Sequence, residues 1–400
     1  MRYRAVLAKY SGAITGAVAT LLLTACTSAQ PSAPPASPSA ASTPTATPAD
    51  ALASKGTLDP AATKRASTVT ITAVGDTMLG NTPDLPPDPG AYFDAVGSIL
   101  SPGSPIVFAN LEGTLTTSTA SKCGAQKPQK PQKPKKPQKR PNATCFAFRD
   151  PPGYARYFKQ AGFSVLNDAN NHSFDFGAAG QAQTVRAIHA AGLAQTGLPG
   201  EITLVKKNGI TVAFLAFAPY DYDASLLDLP AARALIKKAD SEANVVVVYM
   251  HVGAEGPAAD HVTGHEELFL GEDRGNAEAF AHMAIDAGAS LVTASGPHVL
   301  RGMQFYQGHL IAYSLGDFAS YGDFATSGDL DLSVILRVTL SPAGRFEQAR
   351  VYPVELAGAG RPVPGGGSVA FVARLSSADF GPSAARILSS GVIKAPVVSR

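Results

Sequence analysis

Cysteine occurs only three times in this 400-residue chain, tryptophan not at all, and no apolar run reaches the roughly 20 residues a bilayer-spanning helix needs. The cysteines, Cys26, Cys123 and Cys145, have no spacing that would build a zinc site from thiolates. No P-loop, ATP-grasp or ligase signature is present, so the chain is not itself an ATP-using ligase. It also lacks an activated Ser or Cys nucleophile motif. What remains is ordinary globular hydrophobicity, 45% apolar residues, with carboxylates, amides and imidazoles left to carry any chemistry.

Arg2, Arg4 and Lys9 form a positive leader, residues 13–23 a short apolar stretch, and Leu23-Thr24-Ala25-Cys26 closes it with small residues before a cysteine. This resembles a bacterial lipoprotein signal. The resemblance implies that residues 1–25 are removed, that Cys26 is lipidated, and that the chain is held on the extracytoplasmic face of the cell membrane. An ordinary secretory signal with an incidental cysteine is the alternative. Residues 26–68 are almost wholly Ser, Pro, Ala and Thr, without the periodicity of a core, and are expected to form a disordered tether. Residues 69–385 read as one large domain, since no second linker interrupts them, and 386–400 as a C-terminal tail.

The net charge of +2 conceals an asymmetry. Lys127, Lys130, Lys133, Lys135, Lys136, Lys139 and Arg140 sit in a Lys-Pro-Gln repeat at 127–141, and removing these seven charges and the leader's three leaves about −8 elsewhere. The repeat is either an extended arm for an anionic polymer or a tolerated low-complexity insertion. No nucleic-acid partner is expected. Cys123 and Cys145 flank it as an even pair, which in an oxidising compartment would form a disulfide at its base; two free thiols are the alternative.

Alternating patterns predict strands over Val69–Gly75, Ile106–Asn110, Phe163–Asp168, Val245–Met250 and Leu291–Ala294, interleaved with helices over Ala91–Leu100, Pro152–Ala161, Ala178–Ala191, Ala231–Lys238 and Asn276–Ala287. A hairpin over Ile202–Lys206 and Ile210–Ala218 turns at Asn208-Gly209. The last third reads antiparallel, over Met303–Tyr306, Leu310–Ser314, Leu332–Leu340 and Ala349–Leu356. The expectation is an α/β fold of two stacked sheets flanked by helices.

Five apolar runs end on polar groups: Asp76, Asn110 with Glu112, Asn171 with His172, His251, and His298. Ligand clefts of open α/β sheets lie outside the carboxyl ends of the strands, so these endings would converge on one site. Mixed nitrogen and oxygen donors of this kind suit zinc, manganese or iron more than calcium. Singly, each has a plainer role. Asp76 would serve as a turn or cap residue, and His251 as a hydrogen-bonded core imidazole. His261 and His265, four apart around Gly264, are expected to face solvent.

The ordered strings AVGDTMLG, NLEGTLT, ANNHSFDFG, HVGAEG and GPHVLRGMQFYQGHLIAYSLGDF resemble the CapA family of capsule synthesis, over about residues 70–318. The resemblance implies a four-layer αββα sandwich like that of calcineurin-like metallophosphoesterases, with peripheral hairpins. It also implies a cleft whose metal ligands are Asp76, Glu112, Asn171, His251, His298 and Asp317, with His172, His251 and Arg301 in catalytic roles. Arg301 would grip a carboxylate or phosphate, or else form a surface salt bridge. Two departures weaken the metal set. Met78 stands where metallophosphoesterases carry a histidine, and Ser295 replaces a second imidazole in Ala294-Ser295-Gly296-Pro297-His298. At most one well-held divalent ion is therefore expected, with Asp317 compensating.

The leading functional expectation is a membrane-anchored envelope protein assisting biosynthesis, export or anchoring of an anionic capsular polymer such as poly-γ-glutamate, with capsule synthase or export proteins as partners. The alternatives are a metal-dependent phosphoesterase of envelope substrates and a non-catalytic polyanion-binding module.

Overall fold

The computed structural model describes residues 67–124 and 145–396. The leader, Cys26, most of the tether and the basic repeat at 127–141 lie outside the described residues. Among those described, no helix is long and apolar enough to cross a membrane.

Two sheets form the centre. In the first, Val69–Thr77 lies between parallel Ile106–Leu111 and antiparallel Leu332–Leu340. Parallel strands Val165–Asn167 and Ala194–Thr196 extend it on one side, and Phe346–Ala357 on the other. The second sheet runs in the order Met303–Tyr306, His309–Ala312, Leu291–Ser295, Val245–His251, Ile210–Phe217, Thr203–Lys207.

Strand parity explains the layers. Along Ile210–Phe217, Val212, Phe214 and Ala216 pack between the sheets, while Ala213, Leu215 and Phe217 pack outward. Val245, Val247 and Tyr249 repeat the inward set. Phe108 from the first sheet stacks on Phe214 at 5.8 Å between ring centroids. The outward face of the second sheet is covered by helices Leu229–Glu242 and Ala277–Asp286. These start on Asp228 and Asn276, whose side chains accept from the Ala231 and Ala279 amides. The first sheet is covered by Ala155–Gln160 and Gly177–Ala190, through Phe158 and Ile188. The order is helix, sheet, sheet, helix, the αββα sandwich expected.

Three segments differ from expectation. Ala91–Leu100 is not one helix but short 3-10 turns at Pro89–Ala91 and Asp94–Val96 followed by a single α turn, Gly97–Leu100. Gly97 disfavours a continuous helix there, and burial of Tyr92, Phe93 and Leu100 sets the path instead. Residues 386–394 are not a tail, because Arg386–Ile387 and Val392–Lys394 pair into the first sheet and bury Ile393. A helix at Ser368–Phe380, absent from the sequence expectation, packs Val372 against the inter-sheet core and Phe380 against Tyr313.

One glycine decides how the sheets' ends meet. A Cβ on Gly75 would lie 1.8 Å from the Gly316 carbonyl oxygen, and that carbonyl accepts from the Asp76 amide at 2.9 Å. This approach sets Asp76 beside Asp317 in parallel register. Gly75→Ala forces backbone apart from backbone, for which overpacking costs of about 3 kcal/mol are expected. The check is a drop in melting temperature with loss of any metal-induced stabilisation.

Candidate metal centre

The polar side chains reach the cleft by the same parity that builds the core. Ile106 and Phe108 point between the sheets, so Asn110 does too, and Tyr249 and Leu291 set His251 and Ser295 likewise. Asp76 is the exception. Val69, Ile71 and Ala73 face inward, and a register shift between Ala73 and Asp76 turns Asp76 to the same side.

Asp76, Glu112 and His251 are fully buried. Asn110 donates from Nδ2 to Asp76 Oδ1 at 2.7 Å, while its own Oδ1 accepts from Asn167 (2.6 Å) and Asn170 (3.0 Å). Asn170 Oδ1 accepts from the His172 amide at 2.9 Å, so it braces the loop. Asn171, the neighbouring residue, keeps its Oδ1 buried without a partner.

A directed chain fixes the His251 ring. A carboxylate only accepts, so Ser295 Oγ donates to Asp76 Oδ1 and in turn accepts from the Tyr249 hydroxyl. The Tyr249 oxygen, at 3.2 Å a nearer partner of His251 Nδ1 than the Asn110 amide nitrogen at 3.5 Å, then takes the Nδ1 proton, leaving Nε2 as a bare lone pair, a tautomer assigned from the network. Burial pushes the Tyr249 phenol up, keeping it neutral. Ser295 thus orients two neighbours rather than replacing an imidazole. Met78 is buried, its sulfur against Gly113.

His251 Nε2 faces Glu112 Oε1 at 3.8 Å, and neither Glu112 oxygen nor this nitrogen has a hydrogen-bond partner. Burial, with Asp76 adding to it, pushes Glu112 well above the usual carboxylate range, and burial pushes His251 well down. Buried polar atoms are normally satisfied, so electron-rich atoms held face to face, His251 at the end of one strand and Glu112 just past the end of another, form a donor set for a cation. Asp76, Glu112 and His251 bring one ligand atom each within 4.8 Å of one another. A second group, Asp76, His298 and Asp317, meets the same criterion and shares Asp76. It is closed differently: His298 Nδ1 pairs with Asp317 Oδ1 at 2.8 Å. Burial alone would lower His298, but Asp317, Glu112 and Asp76 together hold it well above its ordinary value. His298 adopts φ +59°, a costly conformation for a non-glycine residue that this ion pair secures. The first group fits a divalent ion through its unpartnered atoms, while in the second the His298–Asp317 pair occupies one oxygen of Asp317 and leaves Oδ2 unpartnered.

Around these lie residues the sequence did not single out. Asp175 Oδ2 binds His172 Nδ1 at 2.8 Å and accepts from the Phe148 amide at 2.6 Å, while its Oδ1 pairs with Lys122 Nζ at 2.6 Å. Glu255 Oε2 stands 3.7 Å from His298 Nε2 and is tied to Arg274 through Oε1 at 2.8 Å. His172, His298 and Asp317 open on one cavity of about 270 Å³. Cys123 and Cys145 are joined, with Cα atoms 5.7 Å apart.

Arg301 is placed elsewhere. It is fully buried, donates from Nε to the Ala259 carbonyl and binds Glu267 through both terminal nitrogens at 2.9 and 2.7 Å. With those donors engaged it does not grip a ligand, and it is no surface pair either. His261 and His265 are exposed, His261 bound to Asp379 at 2.6 Å.

Asp168 is a separate buried acid, with neither oxygen hydrogen-bonded. Burial, then Asp223 and Glu201, push it well above the usual carboxylate range. A carboxyl raised on folding stabilises fully below its unfolded value and loses that contribution as pH rises through the folded one. Asp168→Asn is therefore expected to melt higher than wild type at pH 8, by about 1–3 kcal/mol, with the gap closing toward pH 4. Melting curves across that range check it.

Fold and donor set together define a four-layer α/β protein with a candidate cation site in the cleft at the strand ends. Residues 70–321 match the family described as bacterial capsule synthesis protein PGA_cap, and the chain belongs to that family. It is 32% identical over 176 residues to the capsule biosynthesis protein CapA of Bacillus anthracis, covering 40% of this chain and 41% of that one. It is 29% identical over 180 residues to the PGA biosynthesis protein CapA of Bacillus subtilis (strain 168), covering 41% and 44%. The matched stretch thus spans less than half of these relatives. Among solved structures, a putative 5'-nucleotidase from Staphylococcus aureus aligns over 74% of this chain and 54% of its own, at 10% identity and TM-score 0.41. The purple acid phosphatase PPD1 of yellow lupin aligns over 73% and 52%, at 10% identity and TM-score 0.33.

Proposed function

We propose that this chain is a divalent-metal-dependent hydrolase or transferase that assists biosynthesis, export or anchoring of an anionic capsular polymer such as poly-γ-glutamate. The observation that carries the enzymatic part is the set of buried, unpartnered atoms, Glu112 Oε1 and Oε2 and His251 Nε2, with Asp76 beside them. The capsular part follows from the family and from what its Bacillus relatives are named for.

Asp76, Glu112, His251 and Asn171 would hold the ion, zinc, manganese or iron, with His298 and Asp317 alongside. When bound, it supplies Lewis acidity toward a phosphoryl or acyl oxygen and acidifies a water. His172 donates Nδ1–H to Asp175, and burial lowers its pKa, so its Nε2 stays a neutral proton acceptor at the cavity. His298, paired with Asp317 through Nδ1, lines the same cavity. Capsule synthase and export proteins are the expected partners.

The test is an assay of the metal-loaded chain on phosphoesters and on polyglutamate, with and without His172→Ala. Metal-dependent turnover that falls about 100-fold or more in the variant supports the reading. Inactivity on both, with salt-sensitive polyglutamate binding, replaces it by a polymer-binding module. The lipid anchor at Cys26 belongs to the same proposal. Cys26→Ala is expected to move the chain from the membrane to the soluble fraction on cell fractionation, and unchanged membrane retention rules the anchor out.

A further inference from the structure

The cavity beside the centre is lined by two unlike sets of side chains, and of the candidate ligands His298 and Asp317 reach it. Its floor carries His172, His298 and Asp317, and its wall carries Phe146, Phe148, Phe269, Phe324 and Leu330. Among the described residues, no Lys or Arg lines it, and Glu255 and Asp323 add negative charge. The aromatic wall stands directly on the imidazoles: the Phe148 ring lies 4.4 Å from that of His172, and the Phe324 ring 5.0 Å from that of His298. Phe148 and Phe324 meet edge to face, 6.4 Å between centroids, so a group held at the two histidines projects whatever is attached to it along this joined aromatic surface.

The wall is held by polar anchors. Asp175, which orients His172, also accepts from the Phe148 amide. Arg274, which holds Glu255, lies over the Phe269 ring at 5.4 Å. The apolar lining reaches solvent, because Phe146, which lines the cavity, is 56% exposed. An exposed aromatic ring continuous with the buried rings of a cavity marks a binding surface.

Resting on the metal-dependent reading above, we propose that the reacting substrate is amphiphilic: a phosphoester whose single anionic head sits at the centre and whose alcohol is an apolar ring or chain along the phenylalanine wall. A second anionic repeat unit beside the first would face aromatic rings and carboxylates, so the pocket selects against a polyanionic backbone. Capsular polymer would meet this site only through such an apolar-linked phosphoester.

Calorimetry with the metal-loaded chain and three phosphonates, methyl, phenyl and octyl, tests this without turnover. Phenyl- or octylphosphonate is expected to bind at least about tenfold tighter than methylphosphonate, with octyl over phenyl identifying a chain and the reverse a ring. That ratio is expected to collapse toward one in Phe324→Ala and, as an independent wall variant, in Phe269→Ala. Equal affinity for all three in the wild type overturns the amphiphilic substrate while leaving the metal centre standing. Failure of every phosphonate to bind a chain shown to carry its ion overturns the phosphoryl reading, and the amphiphile with it.

Discussion

Replacing Glu112 by Gln is expected to stabilise the metal-free chain and, at the same time, to abolish its stabilisation by metal. In the apo protein Glu112 is fully buried, neither of its oxygens has a hydrogen-bond partner, and Asp76 is a like charge at its side. A buried group left unsatisfied costs about 1–3 kcal/mol, more if charged. Gln keeps the shape, removes the charge and offers an amide toward Asp76, so the apo variant should melt above apo wild type by an amount in that range. With metal the order reverses. An ion at about 1,000 times its Kd adds about 4 kcal/mol to the wild type. Loss of a carboxylate ligand is expected to weaken binding by about 100-fold or more, since even outer partners of ligands matter at 10–100-fold. Thermal melts of both proteins in chelator and in zinc or manganese give four values. A Glu112→Gln apo protein less stable than apo wild type would mean that the carboxylate is satisfied without a cation.

Removing Glu267 is expected to cost more than removing any surface charge, about 3–5 kcal/mol. Arg301 is fully buried, and Glu267→Ala would leave its guanidinium with only the Ala259 carbonyl among the described residues. The consequence reaches the centre through the backbone. Glu267 Oε2 also accepts from the Ala254 amide at 2.9 Å, and a Cβ on Gly253 would lie 2.8 Å from Arg301 Nη1. Arg301 and Glu267 therefore pin the loop that runs from His251 to Glu255. Arg301 acts as a positioning residue, and the double substitution Arg301→Met with Glu267→Met should recover much of the stability lost in Glu267→Ala. Denaturant melts of the single and double variants decide it. A Glu267→Ala protein as stable as wild type would return Arg301 to the role of a ligand-gripping cation.

Much of this was legible because parity and strand ends are sequence properties. Asn110, His251 and Ser295 follow inward-facing Phe108, Tyr249 and Thr293 at even spacing, so their convergence can be read from alternation alone. Asp76 breaks that parity with Ala73, and its arrival depends on a bulge and on the Gly75 to Gly316 approach, neither of which leaves a local pattern. Asp175 and Glu255 were within quoted motifs, but their partners, Lys122 and Arg274, come from distant loops. The place of Arg301 is hidden for the same reason: Glu267 lies 34 residues away, and only the fold shows the pair. The strands at 386–394 were read as a tail because two- and three-residue strands carry too few alternations to stand out, and it is Ala349 and Arg350 of the neighbouring strand that order them.

The most direct test is the metal content of the purified chain from residue 27 onward, measured by mass spectrometry alongside the His172→Ala, His251→Ala double variant. The expected result is about one equivalent of zinc, manganese or iron in the wild type and none in the variant. A wild-type chain that carries no metal under replete conditions would contradict the centre, and leave Glu112 and His251 as unsatisfied groups that the fold merely tolerates.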